Sequence, residues 1–149
     1  MSDSDIIFMR RALELAELAY ESGEIPVGAV IVKDSQIISE GYNLRETEKR
    51  STAHAEIVAI EEACRRLGGW RLSGCTLYVT LEPCPMCAGA IINSRIDRVV
   101  YGVRDAKAGC FGSLINFNSY PFNHSPELFE GVCAEECAAL LRKFFAQRR

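Results

Sequence analysis

The chain has 149 residues, 48% of them hydrophobic and 25% charged, with a formal charge of −3, which is the size and balance of one domain spanning 1–149 rather than two. A chain of this length buries roughly 68–70% of the surface it exposes when unfolded, so it needs neither a disulfide framework nor a structural metal to fold, and a bound metal would point to chemistry. The longest stretch without Asp, Glu, Lys or Arg, Ala108 to Pro126, is interrupted by Gly109, Gly112, Asn116, Asn118, Pro121 and Asn123, which excludes a membrane span; no export signal is read at the N-terminus, and a cytoplasmic protein is expected.

Polar Ser2, Asp3, Ser4 and Asp5 precede Ile6, Met9, Leu13, Ala16 and Tyr20, a spacing that puts apolar groups on one face of a capped helix ending near Gly23. Val27 to Val32 is almost wholly apolar, Asp34-Ser35 is turn-like, and Gln36 to Asn43 holds Ile37 and Ile38, so these read as a hairpin whose first strand is central. The polar segment from Asn43 to Thr52 reads as an exposed loop. It leads into a helix from about Ala53 to Leu67, stopped by Gly68-Gly69 and burying Ile57, Ile60 and Cys64.

Cys75 to Leu81 is a short β-branched run, and Pro83 ends it before a helical stretch from Cys84 to about Ser94. Another strand follows over Arg98 to Tyr101. Strand, helix and strand in so short a compass form a parallel unit, and with the hairpin they predict a mixed sheet covered by helices. Beyond Gly102 a long loop runs to about Pro126, with room for only a short helix near Leu114; such connections are often functional. The chain closes with an extended piece around Leu128 and a helix from about Ala134 to Gln147, carrying Leu140, Leu141 and Phe144 on its apolar face.

Seven cysteines are many for this length, but an odd number without an export signal predicts reduced thiols or metal thiolates rather than disulfides. The charge is unevenly spread: residues 1–75 carry 9 basic and 13 acidic groups and residues 76–149 carry 8 and 7, with Arg142, Lys143, Arg148 and Arg149 in the last eight positions. That basic end is either an offset to a helix macrodipole or an anion-binding edge.

Of the two histidines, His54 opens the run His54-Ala55-Glu56, and about thirty residues later comes Glu82-Pro83-Cys84-Pro85-Met86-Cys87. Each half falls at a predicted helix start, where the dipole and unpaired N–H groups stabilise thiolates, and cysteines three apart share a helix face. Together His54, Cys84 and Cys87 make a three-ligand set for zinc with the fourth tetrahedral position open to water, the arrangement of a catalytic site. Glu56 is the group to move protons between the water and a substrate. Cys64, Cys75, Cys110, Cys133 and Cys137 read as small core residues.

At these residues the sequence resembles the cytidine-deaminase-like superfamily, and within it the bacterial tRNA-specific adenosine deaminases. The resemblance extends through Glu24 to Val30, Gly41-Tyr42-Asn43, Ala53 to Ile57, Ser94-Arg95-Ile96, Val99 to Gly102, Arg104 to Lys107, Gly112-Ser113-Leu114, Glu136 to Leu141 and Phe144-Phe145. It implies an α/β fold, a three-layer α/β/α sandwich with a five-stranded mixed sheet. It also implies one zinc per subunit, a homodimer, and hydrolysis of adenosine to inosine at the wobble position of a tRNA anticodon stem-loop. Substrate contacts are implied for Asn43, Ala55, Asp105, Lys107, Phe145 and Arg149. Asn123-His124 resembles a family pair, but Ser125-Pro126 follows where a basic residue is common, which leaves His124 open between a structural and an RNA-facing role. Two other readings remain at this point: a deaminase of a free nucleobase or nucleoside such as guanine, cytosine or cytidine, and a non-catalytic zinc domain that binds RNA.

Overall fold

The computed structural model describes residues 2–148. Its elements run α1 (Asp3–Glu21), β1 (Gly28–Lys33), β2 (Gln36–Tyr42), α2 (Ala55–Leu67), β3 (Cys75–Leu81), α3 (Pro85–Asn93), β4 (Arg98–Val103), β5 (Glu127–Glu130) and α4 (Ala134–Ala146). The five strands form one sheet in the order β2-β1-β3-β4-β5. β1 pairs antiparallel with β2 and β3, while β3–β4 and β4–β5 are parallel, so the sheet is mixed, as the hairpin followed by a strand–helix–strand unit predicts.

Alternation along the strands divides the core in two. Ala29, Ile31, Leu77, Val79 and Val99 face α2 and α3, whereas Val30, Val32, Tyr78 and Val100 face α1 and α4. Both faces of the central strands are therefore apolar, which is why β1 and β3 read as continuous hydrophobic runs. Asp34 and Ser35, both at positive φ (51° and 62°), make the two-residue connection that suits the right-handed twist of a hairpin.

Small residues let the helices sit close. α1 buries Met9, Ala12, Leu15, Ala16 and Ala19, a stripe rotated from the expected one, with Ile6, Leu13 and Tyr20 only half-buried. α2 likewise buries Ala55, Ala59, Ile60 and Ala63, leaving Ile57 and Cys64 half-buried. At Gly28 the approach is closest: a Cβ there would stand 2.0 Å from the Ala12 carbonyl oxygen. The short helix expected near Leu114 is instead a single 3-10 turn over Phe117–Ser119. At 109–116 the backbone closes on itself through Leu114 N–H to Gly109 O (2.9 Å) and a bridge between Phe111 and Asn116. All seven cysteines are free.

A partly buried ion pair fastens α1 to the sheet. Arg98 donates to both oxygens of Asp5 (2.9 and 3.0 Å) and Tyr78 donates to Asp5 Oδ1 (2.7 Å). Asp5 also closes the capping box of α1 with Ser2. The hydrogen bonds from Arg98 hold the Asp5 carboxyl well below the usual carboxylate range. A depressed pKa contributes stability that is complete above the ordinary Asp value of about 3.9 and is lost as pH falls through the folded value. Asp5→Ala should cost about 3 kcal/mol, because it strands a partly buried guanidinium. Urea melts at pH 7 and pH 3 check both statements, the variant's deficit shrinking at the lower pH.

Candidate metal centre and substrate pocket

Two helices begin at the same place. His54 is the N-cap of α2 and Cys84 the N-cap of α3, and neither side chain caps its own helix, so both turn toward a shared point at the C-terminal end of β3. Cys87 lies in the first turn of α3 and is fully buried. His54 Nδ1 stands 3.5 Å from Cys84 Sγ and 3.5 Å from Cys87 Sγ, and the three ligand atoms all lie within 4.8 Å of one another. A tetrahedral zinc with Zn–N about 2.0–2.1 Å and Zn–S about 2.3 Å requires N···S separations near 3.5 Å. The donor set fits zinc in type and in spacing.

The electrostatics point the same way. Hydrogen bonding from the Cys87 thiol, despite burial, holds Cys84 down to about 4, and the same contact together with burial pushes Cys87 up. The Cys84 sulfur raises His54 above its usual range. One thiolate thus forms readily, and a divalent cation would complete the site by displacing the Cys87 proton. Glu56, in the first turn of α2, is 4% exposed. It makes no salt bridge among the described residues, and burial pushes its carboxyl up to about 7.

His54, Glu56 and Cys84 share a cavity of about 170 Å³ with Ile25, Val27, Asn43, Ala55 and Asp105. That is below the roughly 300–1,000 Å³ of pockets that enclose drug-sized ligands, and it suits one planar base with the rest of a nucleotide left outside. A second cavity of about 310 Å³ adjoins it, sharing Ile25, Asn43 and Arg45, and is lined further by Phe144, Phe145 and Arg148.

Of the residues implied for substrate, Asn43, Ala55 and Asp105 line the inner cavity and Phe145 the outer one. Asn43 is also the turn-former its strand-end position suggests: its side chain accepts from Arg45 N–H (3.1 Å) and donates to Ile25 O (3.2 Å). Phe145 is 48% exposed beside buried Phe144. Lys107 is exposed and uses its backbone N–H on Asp105 Oδ1 (3.0 Å). Arg149 lies outside the described residues. His124, half-buried, bonds the Ile96 carbonyl through Nε2 (2.6 Å), at the opposite end of β4 from the cysteines.

Arg45, Glu24 and Glu82 had no role in the sequence reading, and Arg148 appeared there only within the basic C-terminal end. Arg45 and Arg148 line the outer cavity, and the Arg148 guanidinium sits 4.4 Å over the Phe144 ring. Glu24, 1% exposed, accepts from Glu46 N–H, Thr47 N–H and Thr47 Oγ1 and pins the 43–47 segment beside the pocket. Its only sequence signal is its place before Ile25-Pro26.

Residues 2–103 match the family model of the cytidine and deoxycytidylate deaminase zinc-binding region. The chain is 53% identical over 146 residues to the tRNA-specific adenosine deaminase of Bacillus subtilis (strain 168), covering 97% of this chain and 91% of that protein. Over 150 aligned positions it is 51% identical to the Haemophilus influenzae (strain ATCC 51907 / DSM 11121 / KW20 / Rd) protein of the same name, covering 99% and 87%. This chain belongs to the bacterial tRNA-specific adenosine deaminase family. A solved structure from a study of A-to-I editing by tRNA:A34 deaminases superposes with a TM-score of 0.89 at 45% identity, covering 91% of this chain and 99% of that one. The fold extends further. A guanine deaminase from Nitrosomonas europaea gives a TM-score of 0.84 at 25% identity, covering 95% and 84%. With the family's zinc-binding region and the His54, Cys84, Cys87 geometry both in hand, the cofactor of this member is one zinc ion. Among the described residues no helix is long and apolar enough to cross a membrane.

Proposed function

We propose that residues 1–149 act as one zinc-dependent deaminase domain that converts adenosine to inosine at the wobble position of a tRNA anticodon, working in the cytoplasm as a homodimer. The observation that carries this reading is a buried glutamate beside a His/Cys/Cys metal site, in a pocket with room for one base. The identity to tRNA-specific adenosine deaminases, twice that to the guanine deaminase, sets the substrate class.

His54, Cys84 and Cys87 would hold the zinc, whose contribution when bound would be to lower the pKa of a water from about 15.7 to about 7. Glu56 would take one proton from the attacking water and hand it to the ring nitrogen beside C6, then take the remaining proton of the hydroxyl now on C6 and pass it to the amine, so that the C6–N bond breaks with release of ammonia and the C6–O bond becomes the carbonyl of inosine. Asn43, Ala55 and Asp105 orient the base. Phe145 and the cations Arg45 and Arg148 meet the flanking nucleotides in the outer cavity, through stacking and charge; the positive charges of Lys107 and Arg149 are assigned to the RNA backbone. An unpaired anticodon base enters such a pocket at less cost than a stacked duplex base. The exposed apolar side chains Leu114, Ile115, Tyr120 and Phe122 supply a surface that suits the homodimer.

Incubating the protein with an anticodon stem-loop, and separately with free adenosine, cytidine and guanine, tests this reading. Inosine should accumulate at the wobble position, with free bases and nucleosides turned over at least about a hundredfold less efficiently. Turnover of a free base or nucleoside with no inosine in the RNA would replace the reading with a free-base or nucleoside deaminase.

A further inference from the structure

The carboxylate of Glu82 lies in the wall of the inner cavity, 2% exposed, at the C-terminal end of β3 and two residues before Cys84. Among the described residues no Lys or Arg pairs with it. Instead it accepts four hydrogen bonds from a single loop. Oε1 takes Asp105 N–H (3.0 Å) and the Ser113 hydroxyl, and Oε2 takes Phe111 N–H (3.0 Å) and Ser113 N–H (3.1 Å). A carboxylate offers about four acceptor sites, and all are filled by that loop, so none is left to bind a base. The loop wraps the carboxylate directly: a Cβ on Gly109 would stand 2.3 Å from Glu82 Cδ. Meanwhile Glu82 N–H donates to Val103 O (2.9 Å), which fixes the residue's backbone to the sheet.

We infer that Glu82 is a positioning residue for substrate: it holds the 105–113 loop in register with the metal centre, so that Asp105 forms one wall of the base pocket before RNA arrives. This inference rests on the proposed function. A burial cost is incurred by placing an unpaired carboxylate inside the protein, and four donors from one loop offset it only while that loop keeps its shape. Folding of the loop and burial of the charge are thus one event, which is a means of preorganising a binding wall.

The test compares wild type with Glu82→Gln and Ser113→Ala in zinc content, hydrogen exchange, and KM and kcat on the anticodon stem-loop. Gln matches the shape of Glu but turns an NH2 group against two of the donors. Glu82→Gln should keep one zinc per chain and exchange amides 105–113 faster while those of β4 stay protected. Its KM should rise about tenfold or more, as expected for losing hydrogen bonds to a charged acceptor, with kcat within about threefold. Ser113→Ala, which removes one donor, should shift both readouts the same way by less. Unchanged exchange at 105–113, an unchanged KM, or a loss of kcat at constant KM would overturn the inference. Should Glu82→Gln fail to fold, Ser113→Ala decides: unchanged exchange and KM there overturn it equally. Wild type inactive on the stem-loop would sink the function reading, and the exchange data would still decide whether Glu82 holds the loop.

Discussion

Replacing Glu56 by Ala should leave one zinc per chain and a cooperative melting transition but lower kcat on an anticodon stem-loop by about 10²–10⁴-fold, the range for removing a positioned acid–base group. Metal is retained because the ligand atoms within 4.8 Å of one another are those of His54, Cys84 and Cys87; Glu56 faces the same cavity without being needed to close the set. The size of the loss follows from the environment. Glu56 is nine-tenths and more buried, it pairs with no Lys or Arg among the described residues, and burial pushes its carboxyl upward, a setting that suits a group exchanging protons near neutral pH. A surface glutamate in a salt bridge would show neither property. Metal analysis with single-turnover kinetics on the same preparation checks the claim. Unchanged turnover with zinc present would remove the proton shuttle from the mechanism, and loss of zinc would make Glu56 a structural support of the site.

Much of the fold was legible because its signals are local. β3 over Cys75–Leu81 matches the expected strand, and the other regular elements lie within a few residues of the sequence reading. The metal set was legible for the same reason: a ligand at each of two helix starts is written in short runs, His54 to Glu56 and Pro83 to Cys87. What escaped is long-range. The donors that Glu82 accepts lie 23 to 31 residues further on, and those of Glu24 lie 22 and 23 residues away, so no spacing rule marks either glutamate. The helix misplaced to Leu114 failed on a similar point. Gly109 and Gly112 suggest a break, but whether a turn or a helix follows depends on bridges such as Phe111 to Asn116 and on a carboxylate delivered from β3. Small residues misled the burial pattern too: in α2 the alanines face the sheet and Ile57 does not, because close approach of helix to strand selects volume rather than hydrophobicity alone.

Removing a ligand should abolish activity without unfolding the chain. Cys87→Ser and His54→Ala should each lose stoichiometric zinc and fall to background turnover, since an unassisted water with a pKa of about 15.7 offers almost no hydroxide at neutral pH. Far-UV circular dichroism should change little, because the two apolar layers on either face of the sheet are complete without the ion: Met9, Val30, Tyr78 and Val100 on one side, Ile31, Leu77, Ile91 and Val99 on the other. A structural zinc behaves differently, as its binding energy is folding energy and its loss unfolds the domain. The same comparison can be made on wild type by chelation, where zinc restored to the stripped protein should recover activity from a chain that stayed folded throughout. Collapse of secondary structure on chelation would assign the metal to stability and return the non-catalytic reading to the front.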